Sequence, residues 1–161
     1  MRLLFVRHAI AVPLSGDMRD EDRPLSSDGE RRFGQTAKVL ARVAPKPTAI
    51  LTSPHVRARQ TAAIAAKAWG KLRPVVVPAL ADGDWPSLCR ALANYKSDET
   101  VVLVGHESWI STVTARLLGS RNHRAFDYRK GGAALIEVES LEARVGNLLW
   151  FIPPRVFRRM G

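Results

Sequence analysis

The sequence has almost no cysteine and no long hydrophobic run. Cys89 is the single cysteine among 161 residues, which excludes an intramolecular disulfide framework and a cysteine-based zinc cluster and favours a reducing compartment. The apolar run near the N-terminus is interrupted by Arg7 and His8 after four residues, so it is too short for the core of a signal peptide. Nowhere do about 18 apolar residues follow one another, as a membrane-spanning helix requires. We therefore expect a cytoplasmic protein with no membrane partner.

Acidic residues are absent from a long middle segment. The chain carries 25 Lys and Arg against 15 Asp and Glu, a formal net charge of +10. Residues 31–81 contain ten of the basic residues and no acid, and residues 143–161 add four arginines. Such a basic face can attract nucleic acid or an anionic substrate, and a solvated, arginine-biased surface is the alternative. No aromatic residues interleave with the basic ones as they do in nucleic-acid-binding segments, so we expect no nucleic-acid partner.

Apolar runs of strand length alternate with stretches of helical periodicity. We expect strands at 3–6, 49–51, 74–77, 101–104, 133–138 and 145–151, and helices at about 27–43, 55–69, 86–95 and 107–118. Ser27 and Glu30 fit a capping box for the first helix, and Ser53-Pro54 supplies an N-cap and an N1 proline for the second. This order predicts an α/β fold, a three-layer α/β/α sandwich whose central sheet is mostly parallel with an antiparallel edge strand. The length predicts a single domain over 1–161, and we expect a monomer.

Unusual polar residues follow three of the expected strands. The first strand ends in Arg7 and His8, the second leads into a helix whose first turn carries Arg57, and the fourth ends at His106 beside another helix start. In a sheet of this kind, ligands bind where strands end at their carboxyl edge. We therefore expect two arginines and two histidines to converge on one edge of the sheet.

This set of side chains suits a phosphoryl group. Guanidinium groups bind phosphate oxygens bidentately and stay charged, helix N-termini add N–H donors, and an imidazole can attack phosphorus or hydrogen-bond a phosphoryl oxygen. A lone histidine is more often a surface or satisfied core residue, and a lone arginine is usually solvated. It is their combination at three strand ends that predicts a dianion pocket. The four histidines lack paired ligand spacing, so we expect no metal.

The same motifs resemble a known family. Leu-Phe-Val-Arg-His-Ala around His8, Ser-Pro-His-Val-Arg-Ala-Arg-Gln-Thr from Ser53, and Val-Gly-His ending at His106 resemble the histidine phosphatase (phosphoglycerate mutase-like) superfamily. The stretch Arg-Pro-Leu-Ser-Ser-Asp-Gly from Arg23 looks like the Arg-Pro-Leu-Thr-x-x-Gly of short bacterial members. Those members include the SixA-type phosphohistidine phosphatases, which share this small size. The resemblance covers most of the chain and implies a phosphoglycerate mutase-like fold.

The resemblance also implies a two-step reaction. His8 would attack phosphorus and become a phosphohistidine intermediate, which water then hydrolyses. Arg7, Arg57 and His106 would bind the phosphoryl oxygens and stabilise the charge of the transition state. No metal or organic cofactor is implied.

The general acid is left open between two residues. Many relatives place a Glu shortly after the third strand, and here Asp82 and Asp84 flank Gly83 at that point. Asp82 matches the spacing better, and Asp84 is the alternate. Both also suit a turn around Gly83, with Asp84 capping the next helix.

Four positions beside the motifs have no settled role. Ala9 replaces the Gly that often follows the catalytic histidine, a change we expect to be tolerated. Glu107 follows His106, where it could raise the pKa of that histidine or turn toward its own helix. His55 and His123 have no motif role.

The leading interpretation is a phosphatase that acts on phosphohistidine carried by a protein. The alternatives are a small-molecule phosphomonoesterase of the same fold and a non-catalytic module that binds phosphate or nucleic acid. The expected partner is therefore a phosphorylated protein or a small phosphoester.

Overall fold

One mixed sheet runs through the described part of the chain, residues 1–70, 72–142 and 145–161 of a computed structural model. Its strands are β1 (Arg2–Arg7), β2 (Ala49–Thr52), β3 (Val75–Val76), β4 (Thr100–Gly105), β5 (Ala133–Glu137) and β6 (Asn147–Ile152). Their order across the sheet is β3-β2-β4-β1-β5-β6. The pairs of β1 with β4, β2 with β4 and β2 with β3 are parallel, whereas β5 is antiparallel to both β1 and β6.

Helices cover both faces of this sheet. They are α1 (Ser27–Val43), α2 (Val56–Ala68), α3 (Ala79–Asp82), α4 (Trp85–Leu92), α5 (Trp109–Leu117) and α6 (Pro154–Met160). One core lies between the sheet and the first, second and sixth helices, with Phe33 and Phe157 in it, and the other lies beneath the remaining three, with Leu88 and Leu117. The predicted three-layer α/β/α architecture is confirmed. No helix in the described ranges is both long and apolar enough to cross a membrane.

The central strands place the carboxyl-edge residues. The segments Leu3–Val6 and Val101–Val104 are fully buried, because a parallel strand covered on both faces must be apolar throughout. In the register of the two strands, Arg7 is the partner of Gly105. The residues that follow, His8 and His106, therefore leave the sheet side by side.

Two helix starts differ from the sequence prediction. Ser26, not Ser27, is the N-cap of α1, since its side chain accepts from the N–H of Gly29. The second helix begins at Val56 with His55 as its N-cap, so Ser53 and Pro54 do not serve as N-cap and N1. Instead, Ser53 continues the line of β2, where its N–H donates to the carbonyl of Val104.

Two helices were not expected from the sequence. The first, α3, is a single turn, too short to show a helical period. The second, α6, buries Phe157 completely against the sheet and begins at Pro154. A proline at N1 followed by one buried aromatic residue was the available signal for it.

Candidate active site

His8 stands at the end of β1 with only 5% of its surface exposed. Its Nδ1 lies 2.7 Å from the carbonyl oxygen of Ala9. Because a carbonyl oxygen can only accept a hydrogen bond, Nδ1 carries the ring proton and Nε2 keeps its lone pair. The Nε of Arg57 donates to this Nε2 at 3.3 Å. Nε2 is therefore the atom of His8 that can act as a nucleophile.

Burial and neighbouring cations set the protonation state of His8. Burial lowers the pKa of His8 to about 3, and the charges of Arg57, Arg7 and Lys130 add to that effect against the hydrogen bond to Ala9. The imidazole is neutral at any physiological pH as a result. Its Nε2 lone pair needs no separate base to free it.

Arg57 is held at both ends of its guanidinium. The side chain lies in the first turn of α2 and is 6% exposed. Its Nη1 donates to the backbone carbonyl of Asp20 at 2.5 Å, and its Nη2 donates to the carboxylate of Asp20 at 2.8 Å. The second carboxylate oxygen of Asp20 lies 3.0 Å from the Nε of Arg23. Asp20 thus joins two arginines and fixes the plane in which Arg57 presents Nε to His8.

Arg7 borders the site at the end of β1. Its Nη1 donates to the carbonyl of Tyr128, and its Nε is buried with no hydrogen-bond partner among the described residues. Burial lowers the pKa of Arg7, but a guanidinium keeps its charge. The backbone here is fixed by Gly131, whose N–H donates to the carbonyls of Arg7 and His8 at 3.1 Å. The free Nε is suited to an anionic ligand.

His106 completes the group of side chains that the sequence predicted to converge. Its ring centroid lies 5.0 Å from that of His8. Burial lowers the pKa of His106 to about 3, with the charges of His8, Arg57 and His55 acting in the same direction. The neutral ring can donate one hydrogen bond and accept another, and its neighbours decide which nitrogen does which.

Ser53 forms a hydrogen bond with one ring nitrogen of His106. The Oγ of Ser53, a fully buried residue, lies 2.8 Å from the Nε2 of His106. The same Oγ accepts from the backbone N–H of His55 at 3.3 Å. The hydroxyl still has one proton and one lone pair, so it can donate to Nε2 or accept from it, and the ring proton then lies on Nδ1 or on Nε2 respectively. Nδ1 is buried without a hydrogen-bond partner among the described residues, so it is the ring nitrogen left for a ligand, and an anionic ligand requires it to carry the proton.

His55 lies against His106 although no motif role was expected for it. The two ring centroids are 4.6 Å apart at an interplanar angle of 52°. His55 is half-buried, and it lines a cleft that also contains Asp82 and Arg59. The sequence gives one signal for this contact: His55 directly precedes the helix that carries Arg57.

Motif residues outside the pocket hold its loops together. Thr61 accepts from the N–H of Ala9 at 3.0 Å and donates to the carbonyl of Arg57 at 2.7 Å. Gly29 packs so closely on the loop after His8 that a Cβ would stand 2.0 Å from the carbonyl oxygen of Ile10. Any larger residue at this position would displace the backbone beside the nucleophile. The motif residues Thr61 and Gly29 are thus explained by their contacts with the chain around His8.

The two candidate acids occupy different environments. Asp84 caps α4, where its carboxylate accepts from the N–H of Ser87 at 3.2 Å. Hydrogen bonds from Ser87 lower the pKa of Asp84, which makes it a poor proton donor. Asp82 is exposed at the end of α3 and lines the cleft beside His55. Of the two, Asp82 is the one placed on the side of the site.

Glu107 is turned toward its own helix. Its carboxylate accepts from the hydroxyl and the N–H of Ser111. Of the two alternatives left open for Glu107, the structure therefore shows the second, and the pKa of His106 is lowered. Burial decides the pKa of His106, and the carboxylate of Glu107 is occupied elsewhere.

Comparison with known families shows to which family the chain belongs. The family model of the histidine phosphatase superfamily (branch 1) matches residues 3–89 of the chain. The chain belongs to the histidine phosphatase superfamily. Within the matched range lie His8, both pocket arginines and the loop that carries Asp20. His106 lies beyond it, and its placement comes from the structure.

The chain is also similar in sequence to one further protein and in fold to two solved structures. An uncharacterized protein of Picosynechococcus sp. is 33% identical over 148 residues, 90% of this chain and 88% of that protein. The structure of the protein histidine phosphatase SixA complexed with tungstate matches with a TM-score of 0.82 at 22% identity, over 97% of this chain and 99% of that one. A mycobacterial glucosyl-3-phosphoglycerate phosphatase matches with a TM-score of 0.76 at 19% identity, over 94% and 98%. The predicted phosphoglycerate mutase-like fold is confirmed.

Proposed function

We propose that this chain is a phosphatase that removes the phosphoryl group of phosphohistidine on a protein, through a covalent phosphohistidine on His8. One observation carries the proposal. In a member of the histidine phosphatase superfamily, the Nε2 of a neutral, buried His8 lies unprotonated beside Arg57 and His106.

In the first step the Nε2 of His8 attacks the phosphorus. The bond between phosphorus and the substrate nitrogen breaks, and its electron pair returns to the substrate ring. A phosphohistidine substrate whose other ring nitrogen is protonated then leaves as a neutral imidazole. The phosphorylated His8 ring keeps its Nδ1 proton on the carbonyl of Ala9, so charge is conserved without an external proton.

The surrounding donors act on the transferring oxygens. The Nε–H of Arg7 and the Nδ1–H of His106 supply hydrogen bonds where charge is spread in the transition state. The Nε–H of Arg57 joins them, because the Nε2 lone pair of His8 stops accepting it once that lone pair binds phosphorus. They are fixed in advance by Tyr128, Asp20 and Ser53. Preorganised donors in a site from which water is largely excluded contribute more than the same donors in solution.

In the second step water attacks the phosphorus of phosphorylated His8. The bond from phosphorus to Nε2 breaks, its electron pair returns to Nε2, and both protons of the water leave with the product as H₂PO₄⁻. Neither step requires a protein acid when the substrate is a phosphohistidine. An alcohol leaving group does require one, and Asp82 is the residue we assign to that task.

A small phosphoester is the second candidate substrate. Two observations favour it: Asp82 lines a cleft on the side of His55, and the fold is shared with a mycobacterial glucosyl-3-phosphoglycerate phosphatase. In either case no metal or organic cofactor takes part in the proposed reaction.

Substrate choice is tested by measuring phosphate release from a phosphohistidine protein, a phosphoserine peptide and a panel of small phosphoesters. We expect the highest kcat/KM on phosphohistidine, and a loss of at least about a thousandfold in His8→Ala. His123→Ala is the matched control, because His123 is exposed outside the site. Turnover of small phosphoesters alone would support the second candidate, and no turnover of any substrate would refute both.

A further inference from the structure

Three basic side chains line a narrow cleft next to the loop that follows the proposed nucleophile. The cleft borders Ala9, the residue after His8, and it receives Arg32 from α1, Lys130 from the loop before β5 and Arg158 from α6. These cations come from separate elements of the fold. Their proximity is therefore produced by the tertiary structure and is not visible in the sequence.

The same surface continues along α6. Arg158 and Pro154 also line a second cleft, together with Arg129 and Arg155. We use the name basic groove for the two adjoining clefts, defined by the five cations Arg32, Arg129, Lys130, Arg155 and Arg158. The groove runs from the residue after His8 to the outer side of the C-terminal helix.

Acidic side chains neutralise only part of the groove. Asp28 pairs with Arg32 at 2.6 Å, and Asp127, which lines the second cleft, pairs with Arg129 at 2.9 Å. Lys130, Arg155 and Arg158 form no ion pair within the described part of the chain. These remaining charges give the groove a positive potential that attracts anionic groups.

Lys130 connects the groove to the reacting centre. Burial lowers the pKa of Lys130, and the positive charges of Arg7, Arg23 and Arg57 lower it further. Its ammonium group therefore lies in the field of the arginines of the phosphoryl site. The next residue, Gly131, donates its N–H to the carbonyls of Arg7 and His8 at 3.1 Å, so the backbone holds Lys130 beside the reacting centre.

We propose that the basic groove binds acidic side chains that lie close to the phosphohistidine on the surface of the substrate protein. This inference rests on the proposed function and names the class of protein that the site selects. Carboxylates near the phosphohistidine pair with Arg155 and Arg158, while the phosphoryl group enters the pocket of His8. Such rim charges act mainly on encounter and on KM, because they contact neither the phosphorus nor its oxygens.

A protein surface fits the groove better than a nucleic acid does. In the described groove the ion pair of Asp127 with Arg129 interrupts the row of unpaired cations that a continuous phosphate backbone would follow. Its lining has no exposed aromatic side chain on which a base could stack. Discrete carboxylates can avoid Asp127, whereas evenly spaced phosphates cannot.

The test uses two phosphohistidine peptides that differ only in their flanking residues, glutamates in one and lysines in the other. We expect a KM for the acidic peptide about tenfold lower than for the basic one, with similar kcat. The double variant Arg155→Glu/Arg158→Glu should abolish that preference, while turnover of phosphoramidate stays unchanged. Arg73→Glu is the matched control, because Arg73 is exposed near β3 at the opposite edge of the sheet.

A binding measurement separates this inference from the proposed function. The affinities of both peptides, made with a non-hydrolysable phosphohistidine analogue, are measured by fluorescence anisotropy with and without a duplex competitor. An acidic preference lost in the double variant supports the groove even if neither peptide is hydrolysed, in which case the proposed function alone fails. A preference that survives the double variant, no preference at all, or displacement of the acidic peptide by equimolar duplex would overturn the inference.

Discussion

Asp20 accepts hydrogen bonds from both Nη groups of Arg57, while the Nε of the same guanidinium donates to the Nε2 of His8. The polar loop before α1 is thereby joined to the reacting centre. One side chain of that loop determines how a pocket arginine meets the proposed nucleophile. The carboxylate of Asp20 is half exposed, so this contact can be altered without opening the core.

Asp20→Asn should lower kcat/KM by about threefold to tenfold, because the charge-assisted hydrogen bond to Arg57 is replaced by a weaker neutral one. The measurement is steady-state phosphate release from a phosphohistidine peptide. Asp22→Asn is the matched control, since Asp22 pairs with Arg19 and not with the site. An increase in kcat/KM in Asp20→Asn would mean that Asp20 competes with the phosphoryl group, contrary to the positioning role.

Ser53→Ala should remove the hydrogen bond to the Nε2 of His106. The loss of one hydrogen bond of this kind corresponds to about a fivefold to tenfold reduction in kcat. KM should change less, because Arg7 and Arg57 remain in place. Nitrogen chemical shifts of His106 should move from a single Nδ1–H tautomer to a mixture.

The control for Ser53→Ala is Thr48→Ala, which removes a hydroxyl at the opposite end of β2 that donates to the carbonyl of Thr100. This variant should keep both kcat and the shifts of His106. A Ser53→Ala protein with unchanged kcat and an unchanged tautomer would contradict the assignment.

Asp82→Asn should reduce turnover of alkyl phosphates, whose leaving groups need a proton, and should leave phosphohistidine and nitrophenyl phosphate nearly unaffected. Asp84→Asn should change none of these rates, since asparagine is also a good N-cap for α4. The measurement compares kcat/KM for each variant across leaving groups of different pKa. An equal loss of kcat/KM on good and poor leaving groups would show that Asp82 is not the general acid.

The buried histidines should make the fold sensitive to acid. The pKa of His8 and that of His106 are about 3 in the folded protein, against 6.5 for an exposed histidine. At pH values between about 3 and 6.5, the unfolded chain binds more protons than the folded protein does. The free energy of unfolding therefore falls as the pH decreases from about 6.5 toward 3. At pH 5 the two histidines together should lower it by roughly 2 to 4 kcal/mol relative to pH 7.

Urea titrations at pH 7 and pH 5 measure this effect. The double variant His8→Asn/His106→Asn should lose most of the difference between the two pH values, whereas His123→Gln, at an exposed position, should retain it. The same pH dependence in all three proteins would show that these histidines do not stay neutral in the fold.

The sheet could be predicted from sequence because its central strands are continuous apolar runs. Val101–Val104 is buried on both faces, and that pattern alone distinguishes it from an exposed strand. The start of the first helix was predicted one residue late, because serine is a good cap at either position and the choice of Ser27 rested on Glu30 alone. Ser26 donates from its N–H and its hydroxyl to the carbonyl of Ile10, so a contact with the loop after β1 accompanies the observed cap.

The convergence of the strand-end side chains could also be predicted, but their supporting contacts could not. His8 and His106 follow strands whose parallel register brings them together, and a strand end is visible in the sequence. Asp20 is one acid in a polar loop with no periodicity, and it meets Arg57 across 37 positions of the chain. Contacts of this kind depend on how the loop folds back, for which a single sequence contains no local signal.

The central claim is that His8 carries the phosphoryl group on Nε2. The direct test is rapid quenching of the protein with ³²P-labelled phosphohistidine protein, followed by digestion and identification of the labelled residue and isomer. We predict an acid-labile, alkali-stable label on His8 as the Nε2 isomer, absent in His8→Ala and present in His123→Ala. Label on another residue or on Nδ1 of His8, or its persistence in His8→Ala, would contradict the account.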